Sequence, residues 1–276
     1  MPRTNAIGSP GVSVIIPWCN RPELTQTLVH NAGELMANDA EVLIICAGQT
    51  VPVRLPDEIP DRFHVRIIEL PCAGSFNKSE CLNVGAWLSR AEHLFLLDAD
   101  IILELDFLAQ ALSVVRTQAC FVTVADVVES NPTLQPDRWN PNSFIRQRTV
   151  TTELITDDGR TATIQYKTVK HGVRTGSGLM VIAKNDLLAV NGFNSMLHGW
   201  GFEDYDIQIR VQLARGVARV MLGQVVHLSH LRSEDAATSV ARNTGLGYDS
   251  YERGNLLGTL DLDAARWEGR LVELSA

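Results

Sequence analysis

The sequence lacks the features that mark membrane, secreted and nucleic-acid-binding proteins. Its 276 residues contain no apolar run of about 18 residues, and residues 1–11 lack the apolar core of a signal peptide. The five cysteines are scattered, odd in number and without a Cys-x-x-Cys pair, which argues against a disulfide framework or a zinc site. Basic residues are in the minority, since the net charge is −8 and the pI is near 5.4. We therefore expect a soluble, cytoplasmic protein whose main partner is neither nucleic acid nor an anionic membrane.

Alternating strand-like and helix-like segments dominate the first half of the chain. The predicted order is strand 12–16, helix 20–36, strand 41–46, strand 65–70, helix 76–90, strand 93–98, helix 105–116 and strand 120–125. Asn20, followed by Pro22 and Glu23, is the predicted N-cap of the first helix. This order predicts an α/β fold with a mostly parallel central sheet flanked by helices.

The alternation stops after residue 126. Residues 129–147 are polar, and strands predicted over 150–156 and 161–166 flank Asp-Asp-Gly, which is typical of a β-hairpin. Further on we expect a strand over 179–183, helices over 185–190 and 203–215, short strands over 217–222 and 225–228, and a last helix over 262–271. We divide the chain into a flexible leader (1–11), one domain (12–235) and a C-terminal extension packed on that domain (236–276).

An Asp-Ala-Asp sequence follows the apolar run 94–97. In an open α/β sheet, ligands bind outside the carboxyl ends of the strands, where Asp98 and Asp100 are expected. Residues two apart on a strand point the same way, so both carboxylates could face one divalent metal ion and the diphosphate that it carries. The alternative is a pair of solvated carboxylates at a strand end.

Two further clusters carry polar chemistry. Trp200 lies between two glycines, directly before a run of acids that includes Glu203 and Asp204. Helix dipoles account for one or two acids in a first turn, but an aromatic ring beside carboxylates also suits a sugar. His227 and His230 follow an apolar run and could close on a metal held by the aspartates, because imidazole and carboxylate together suit Mn²⁺-like ions. The alternative is that both are ordinary surface or core histidines.

Five motifs occur in order along the chain. They are Val-Ile-Ile-Pro-Trp-Cys-Asn-Arg (14–21), Phe-Asn-Lys-Ser-Glu-Cys-Leu-Asn-Val-Gly (76–85), Leu-Asp-Ala-Asp (97–100), Gly-Phe (192–193) and Gly-Trp-Gly-Phe-Glu-Asp (199–204). Over roughly residues 12–232, this set resembles the β-1,4-galactosyltransferases and the chondroitin-polymerase-type glycosyltransferase domains (family 2/7-like). The second and fifth motifs are specific, whereas Asp-x-Asp alone is not. The resemblance implies the nucleotide-diphospho-sugar transferase (GT-A) fold.

The resemblance also implies a role for each matching residue. Asp204 is the expected catalytic base. The expected ligands of Mn²⁺, or of Mg²⁺, are Asp98, Asp100, His227 and His230, with His227 the weaker histidine. Residues expected at the nucleotide-sugar donor are Pro17, Arg21, Phe76, Lys78, Asp98, Ala99 and Trp200, and those expected on the acceptor side are Trp200, Glu203, Gly178 and Thr175.

Two positions bear on the choice of donor. Cys19 stands where the galactosyltransferases have an Arg against the base, so the recognition of uracil is expected to differ. Thr175 falls where those enzymes place a Tyr that crowds the 2-position of the sugar. The smaller Thr leaves space for an N-acetyl group, so UDP-GalNAc is expected ahead of UDP-Gal.

The function that the resemblance implies is an inverting, metal-dependent glycosyltransferase that moves a hexose or N-acetylhexosamine from a UDP-sugar to a saccharide hydroxyl. The insertion at about 129–174 is expected on the acceptor side, because loops on a rigid scaffold commonly carry specificity; a solvated decoration is the alternative. One rival function is a sugar-nucleotide pyrophosphorylase, which would have a Gly-rich basic loop after the first strand. The other is a non-catalytic carbohydrate-binding relative, which would more readily have lost Asp100 or Asp204.

Overall fold

The computed structural model describes residues 9–49, 52–60, 62–71, 76–134, 140, 142–169, 172–199, 201–231 and 236–274, with backbone only for 168–169 and 236–238. Its helices and strands are β1 (Val12–Trp18), α1 (Leu24–Ala37), β2 (Ala40–Ala47), β3 (His64–Leu70), α2 (Lys78–Leu88), β4 (His93–Leu96), β5 (Ile101–Leu103), α3 (Phe107–Thr117), β6 (Cys120–Glu129), β7 (Gln147–Ile155), β8 (Thr161–Val169), β9 (Val173–Ala183), α4 (Lys184–Ala189), α5 (Glu203–Arg215), β10 (Ala218–His227), α6 (Ala236–Glu252), α7 (Leu260–Trp267) and β11 (Val272–Leu274). Eight residues of the predicted leader, 1–8, lie outside the described residues.

The strands of the described residues form one mixed sheet. Its order is β11-β3-β2-β1-β4-β9-β6-β10-β5, and the β7–β8 hairpin joins it through β9. Four pairings are parallel, namely β1–β2, β2–β3, β1–β4 and β6–β10. The other six are antiparallel. The predicted α/β fold is confirmed, but the sheet is parallel only in part.

The position of β9 explains the mixed sheet. β9 lies between β4 and β6 and runs antiparallel to both. Only residues 170–172 separate β8 from β9, and three residues are too few for the crossover that parallel neighbours need. β9 therefore runs antiparallel to β8, and its insertion between β4 and β6 gives the middle of the sheet its antiparallel pairings.

Helices cover both faces of the sheet. Val14 and Ile16 of β1 pack into one apolar cluster with Leu28 of α1 and Leu108 of α3. Ile15 packs into a second cluster, which includes residues of α2, α5 and α7. Since all three β1 side chains are fully buried, β1 is a central strand with apolar cover on both faces.

β1 continues through Pro17, where the sequence predicted its end. The carbonyl of Ile15 accepts a hydrogen bond from Leu97 N at 3.0 Å, so the backbone of Pro17, two residues on, faces the same side. The β1–β4 pairing ends with Ile15 opposite Leu96. The missing N–H of Pro17 therefore costs no hydrogen bond to β4.

The start of α1 differs from the prediction. The N-cap is Glu23, which makes no capping hydrogen bond with its side chain. Asn20 has a φ of 52° and precedes the helix, so its prediction as the N-cap is wrong.

The C-terminal residues contain more regular structure than the sequence predicted. α6 spans 17 residues in a region without a clear apolar pattern. The helix predicted over 262–271 is α7, which ends at Trp267, and the chain continues into β11, which pairs antiparallel with β3. The two short strands predicted over 217–222 and 225–228 are one strand, β10. No helix of the described ranges has the length and apolarity needed to cross a membrane.

Candidate active site

Hydrogen bonds from two side chains of α1 hold the turn that carries Asp98 and Asp100. Thr27 Oγ1 donates a hydrogen bond to the carbonyl of Ala99 at 2.9 Å. Asn31 Nδ2 donates to the carbonyl of Ile101 at 2.8 Å, and its Oδ1 accepts from the N–H of Leu103 at 2.9 Å. Because Thr27 and Asn31 are fully buried, these bonds hold the backbone on both sides of Asp100.

Three of the predicted metal ligands lie together. Antiparallel pairing of β10 with β5 sets His227 opposite Ile101, and Leu228 N donates to the carbonyl of Asp100 at 2.8 Å. Asp100 Oδ2 lies 3.1 Å from His230 Nε2 and 3.5 Å from His227 Nε2. The three candidate ligand atoms fall within 4.8 Å of one another. Asp98 does not belong to this cluster and contacts Lys78 instead.

The charges in this cluster are coupled. Burial alone would raise the pKa of Asp100, but hydrogen bonds from His227 and His230 hold it well below its ordinary value. Burial likewise opposes the charged form of His227, yet Asp100 and Glu129 raise its pKa above the ordinary value. One carboxylate and two imidazoles therefore converge at the carboxyl end of the sheet, a donor set that suits a Mn²⁺-like ion.

Behind His227 lies a carboxylate that the sequence analysis missed. Glu129 Oε2 is 2.6 Å from His227 Nδ1 and accepts a hydrogen bond from Ser229 Oγ at 2.9 Å. Arg174 Nε lies 3.3 Å from Glu129 Oε1, and the Glu129 side chain is only 1% exposed. Burial would raise the pKa of Glu129, but His227, Arg174 and Ser229 lower it to about 2.

Lys78 joins the Asp-Ala-Asp turn to the start of α5. Its Nζ lies 3.0 Å from Asp98 Oδ1 and 3.4 Å from Asp204 Oδ1. Asn77 begins this arrangement as the N-cap of α2, where its side chain accepts a hydrogen bond from Glu80 N. Burial alone would lower the pKa of Lys78, but Asp204 and Asp98 together raise it above its ordinary value. The ammonium group is therefore charged between two carboxylates.

The two acids that begin α5 have different surroundings. Burial and the neighbouring Asp204 raise the pKa of Glu203 to about 7. Glu203 Oε2 is buried and has no hydrogen-bond partner. Burial also raises the pKa of Asp204, although Lys78 opposes that change.

Gly178 in β9 packs directly against the Asp204 carboxylate. A Cβ at this position would lie 2.8 Å from Asp204 Cγ, so no side chain fits without moving the acid. Thr175, three residues earlier, is buried, and its hydroxyl accepts a hydrogen bond from Lys167 N at 2.8 Å.

The glycine-rich loop before α5 is held by α6. Gly199 and Gly201 have φ values of 81° and 95°, and a Cβ on either would collide with Ser239 or Val240 of α6. Asn243 is fully buried and donates to the carbonyls of His198 and Gly201 at 3.1 and 2.9 Å. The glycines are thus explained by close packing against a helix. Trp200 lies outside the described residues.

The remaining predicted donor residues lie near the ends of the first strand and before α2. Pro17 is buried in β1, while Arg21 is exposed and its carbonyl accepts a hydrogen bond from the Trp18 indole at 2.8 Å. Phe76, directly before Asn77, is 36% exposed. Cys19 is half-buried, and its thiol donates to the carbonyl of Gly48 at 3.4 Å.

The insertion packs along α5. Near the tip of the β7–β8 hairpin, Arg160 Nη1 donates to the carbonyl of Leu213 in the last turn of α5 at 2.9 Å. Ten residues of helix, about 15 Å, separate that contact from Glu203. At the other end of the hairpin, Lys167 Nζ lies 2.8 Å from Asp126. The ends of β8 and β9 nearest Lys167 and Arg174 therefore lie closer to the candidate site than the tip does.

Comparison with known proteins gives one family match. Residues 161–232 match the model of the N-terminal domain of galactosyltransferase. That range contains Gly178, Glu203, Asp204, His227 and His230. The predicted resemblance to galactosyltransferases is confirmed. The match also favours the prediction of a glycosyltransferase.

Two solved structures of TarS from S. aureus share the fold. TarS 1–349 matches with a TM-score of 0.55 and 15% identity, over 79% of this chain and 60% of TarS 1–349. The same protein in complex with UDP matches with a TM-score of 0.53 and 15% identity, over 86% of this chain and 64% of that chain. This chain thus spans less than two thirds of the TarS fragment. No curated protein matches the sequence.

Proposed function

We propose that this protein is an inverting, metal-dependent glycosyltransferase that moves a hexose or N-acetylhexosamine from a UDP-sugar to a hydroxyl of a saccharide acceptor. The observation that carries the proposal is the position of Lys78, 3.0 Å from Asp98 and 3.4 Å from Asp204. It brings the residues expected at the donor diphosphate and at the acceptor hydroxyl into one group. The galactosyltransferase family match and the fold shared with UDP-bound TarS support a nucleotide-sugar donor.

Asp204 is the proposed base. A base must lie within hydrogen-bond reach of the hydroxyl that it deprotonates, and its pKa must be high enough for it to accept the proton. Burial raises the pKa of Asp204, while the neighbouring Lys78 opposes that rise by favouring the charged carboxylate. The acceptor oxygen then attacks the anomeric carbon from the face opposite UDP, and one displacement inverts the configuration.

Glu203 is the proposed acceptor ligand. Its Oε2 is buried without a hydrogen-bond partner, and leaving such an oxygen unsatisfied costs about 1–3 kcal/mol. A sugar hydroxyl could donate a hydrogen bond to Glu203 when the carboxylate is charged, or accept a hydrogen bond from the carboxylic acid when it is neutral. A bound acceptor would give this buried oxygen a hydrogen-bond partner, which supports Glu203 as an acceptor ligand.

Asp100, His227 and His230 are the proposed ligands of Mn²⁺ or Mg²⁺. They fit such an ion by donor type, and His227 already presents Nε2 toward Asp100 while its Nδ1 faces Glu129. When bound, the ion supplies positive charge to the diphosphate leaving group without a proton. Lys78 would add a second positive charge at the same diphosphate.

Thr175 and Gly178 are the proposed determinants on the sugar side. The Thr175 hydroxyl is engaged with the backbone of Lys167, so its small size, rather than a hydrogen bond, would favour the donor with the larger 2-substituent. We therefore propose UDP-GalNAc ahead of UDP-Gal. A pocket difference of this kind is worth about 1–3 kcal/mol, a preference rather than exclusion.

The test is a panel of UDP-sugars with Mn²⁺ and saccharide acceptors, read by release of UDP. We expect metal-dependent release that falls to background in Asp100→Ala. Equal release with and without chelator, or release of a different nucleotide only, would contradict the proposed chemistry.

A further inference from the structure

The carboxylate of Glu129 lies on the side of His227 that faces away from the candidate metal ligands. β10 pairs parallel with β6, and this register sets His227 beside Glu129. Glu129 Oε2 lies 2.6 Å from His227 Nδ1, while the other ring nitrogen, Nε2, lies 3.5 Å from Asp100 Oδ2. Glu129 and Asp100 therefore contact opposite nitrogens of one imidazole ring.

The Glu129 carboxylate is itself held in place. Ser229 Oγ donates to Oε2 at 2.9 Å, and Arg174 of β9 lies 3.3 Å from Oε1. The backbone supports the same corner, because Glu129 N donates to the carbonyl of Gly172 and Ser130 N donates to that of His227. Residues of β9 and β10 and of the segments beside them thus fix the orientation of one side chain that is 1% exposed.

Both ring nitrogens face a carboxylate, but the contact of Nδ1 with Glu129, at 2.6 Å, is shorter than that of Nε2 with Asp100, at 3.5 Å, so the proton of the neutral ring stays on Nδ1. The lone pair of the neutral ring is then on Nε2. We propose that Glu129 is a positioning residue that holds His227 in the Nδ1–H tautomer and aims Nε2 at the divalent metal ion. The inference rests on the proposed metal site, and it adds a residue that no motif of the sequence includes.

Partners of this kind orient metal-bound histidines and raise their basicity, and their loss typically weakens metal binding about 10- to 100-fold. Glu129→Gln keeps the shape of the side chain but removes its charge and permits the amide to donate to Nδ1. We expect the Kd for Mn²⁺, measured by calorimetry or by electron paramagnetic resonance without nucleotide, to rise about 10- to 100-fold.

Glu41 offers a matched control. Its side chain is also 1% exposed and is held by one hydroxyl, Ser13, and by Arg90, but it lies at the start of β2. Glu41→Gln should lower the melting temperature to a similar extent and leave the Mn²⁺ affinity unchanged. If Glu129 only stabilised the fold, both variants would behave alike toward Mn²⁺.

Two further variants separate the possible failures. Ser229→Ala removes one support of Glu129 and should weaken Mn²⁺ binding several-fold, which decides the question if Glu129→Gln does not fold. If Asp100→Ala abolishes Mn²⁺ binding while Glu129→Gln and Ser229→Ala bind like wild type, the positioning role is overturned and the metal site stands. If Asp100→Ala also binds like wild type, the proposed metal site itself is overturned.

Discussion

Gly178→Ala tests whether Asp204 must stay where the fold puts it. The new Cβ would lie 2.8 Å from Asp204 Cγ, whereas ordinary contact begins near 3.4 Å, and one carboxylate oxygen lies closer still. Rotation of the Asp204 carboxylate would also break its 3.4 Å contact with Lys78, which is held by Asp98 as well. The acid must therefore move by about 1 Å. A misplacement of that size costs roughly 100-fold in rate, or about 2.7 kcal/mol at the transition state.

The assay is kcat for sugar transfer, with donor Kd measured in parallel. We expect kcat to fall roughly 30- to 100-fold while the melting temperature changes little. Gly33→Ala is the control. A methyl group added to Gly33 in α1 would meet no atom within 4 Å, so this helical substitution should stabilise the fold by up to about 1 kcal/mol and leave kcat unchanged. A wild-type kcat in Gly178→Ala would refute the claim that the position of Asp204 limits turnover.

Four further predictions concern single side chains. Asp204→Asn should retain UDP-sugar binding and lose turnover, as measured by calorimetry and product formation. Glu203→Gln should leave the free energy of unfolding unchanged at pH 4 and raise it by up to about 3 kcal/mol above pH 7. The reason is that folding raises the pKa of Glu203 to about 7, so the wild-type protein loses stability as pH rises from the unfolded pKa through 7. Urea unfolding at both pH values checks this. Thr175→Tyr should shift the GalNAc-to-Gal activity ratio toward Gal, and an unmoved ratio would remove Thr175 from the sugar pocket. Asn243→Ala should raise the KM for substrate, measured from initial rates, because the Asn243 amide holds the carbonyls of His198 and Gly201 in the loop before α5. Expressed as free energy, this rise should exceed the loss in the free energy of unfolding.

The first half of the fold could be predicted because its apolar runs are long and clearly bounded. The strand predicted over 41–46 is Ala40–Ala47, and that predicted over 65–70 is His64–Leu70. The first is buried along its whole length and nearly continuous in apolar residues, while the second keeps a core of Ile67, Ile68 and Leu70 among polar residues. The helix predicted over 203–215 agrees at both ends with Glu203–Arg215.

Apart from that helix, much of the second half could not be predicted, because tertiary contacts rather than local pattern determine its structure. β9 begins with Val-Arg-Thr-Gly-Ser-Gly, which precedes the predicted strand 179–183, and this run is part of the strand because β9 pairs with β4, β6 and β8. α6 contains Gly245 and Gly247, and the second of these lets the Phe202 ring approach closely. Neither signal is visible without knowing the partner segment.

Some residues of the candidate site could likewise be predicted from the sequence, and others could not. Asp100, His227 and His230 could be found because strand ends and short spacings identify them. Glu129 lies 98 residues before His227 in the chain, and only the β6–β10 register brings them together. Thr27 and Asn31 could have been noticed as polar residues on the inner face of an otherwise apolar helix, which is where buried hydrogen-bonding groups support a site.

The most direct test of the account is the anomeric configuration of the product. Proton NMR of the transfer product, made with the best donor of the UDP-sugar panel, reports the configuration of the new glycosidic bond. With Asp204 as the base of a single displacement, an α-linked UDP-sugar should give a β-linked product, and the signal should disappear in Asp204→Asn. An α-linked product would contradict the single displacement and the role given to Asp204.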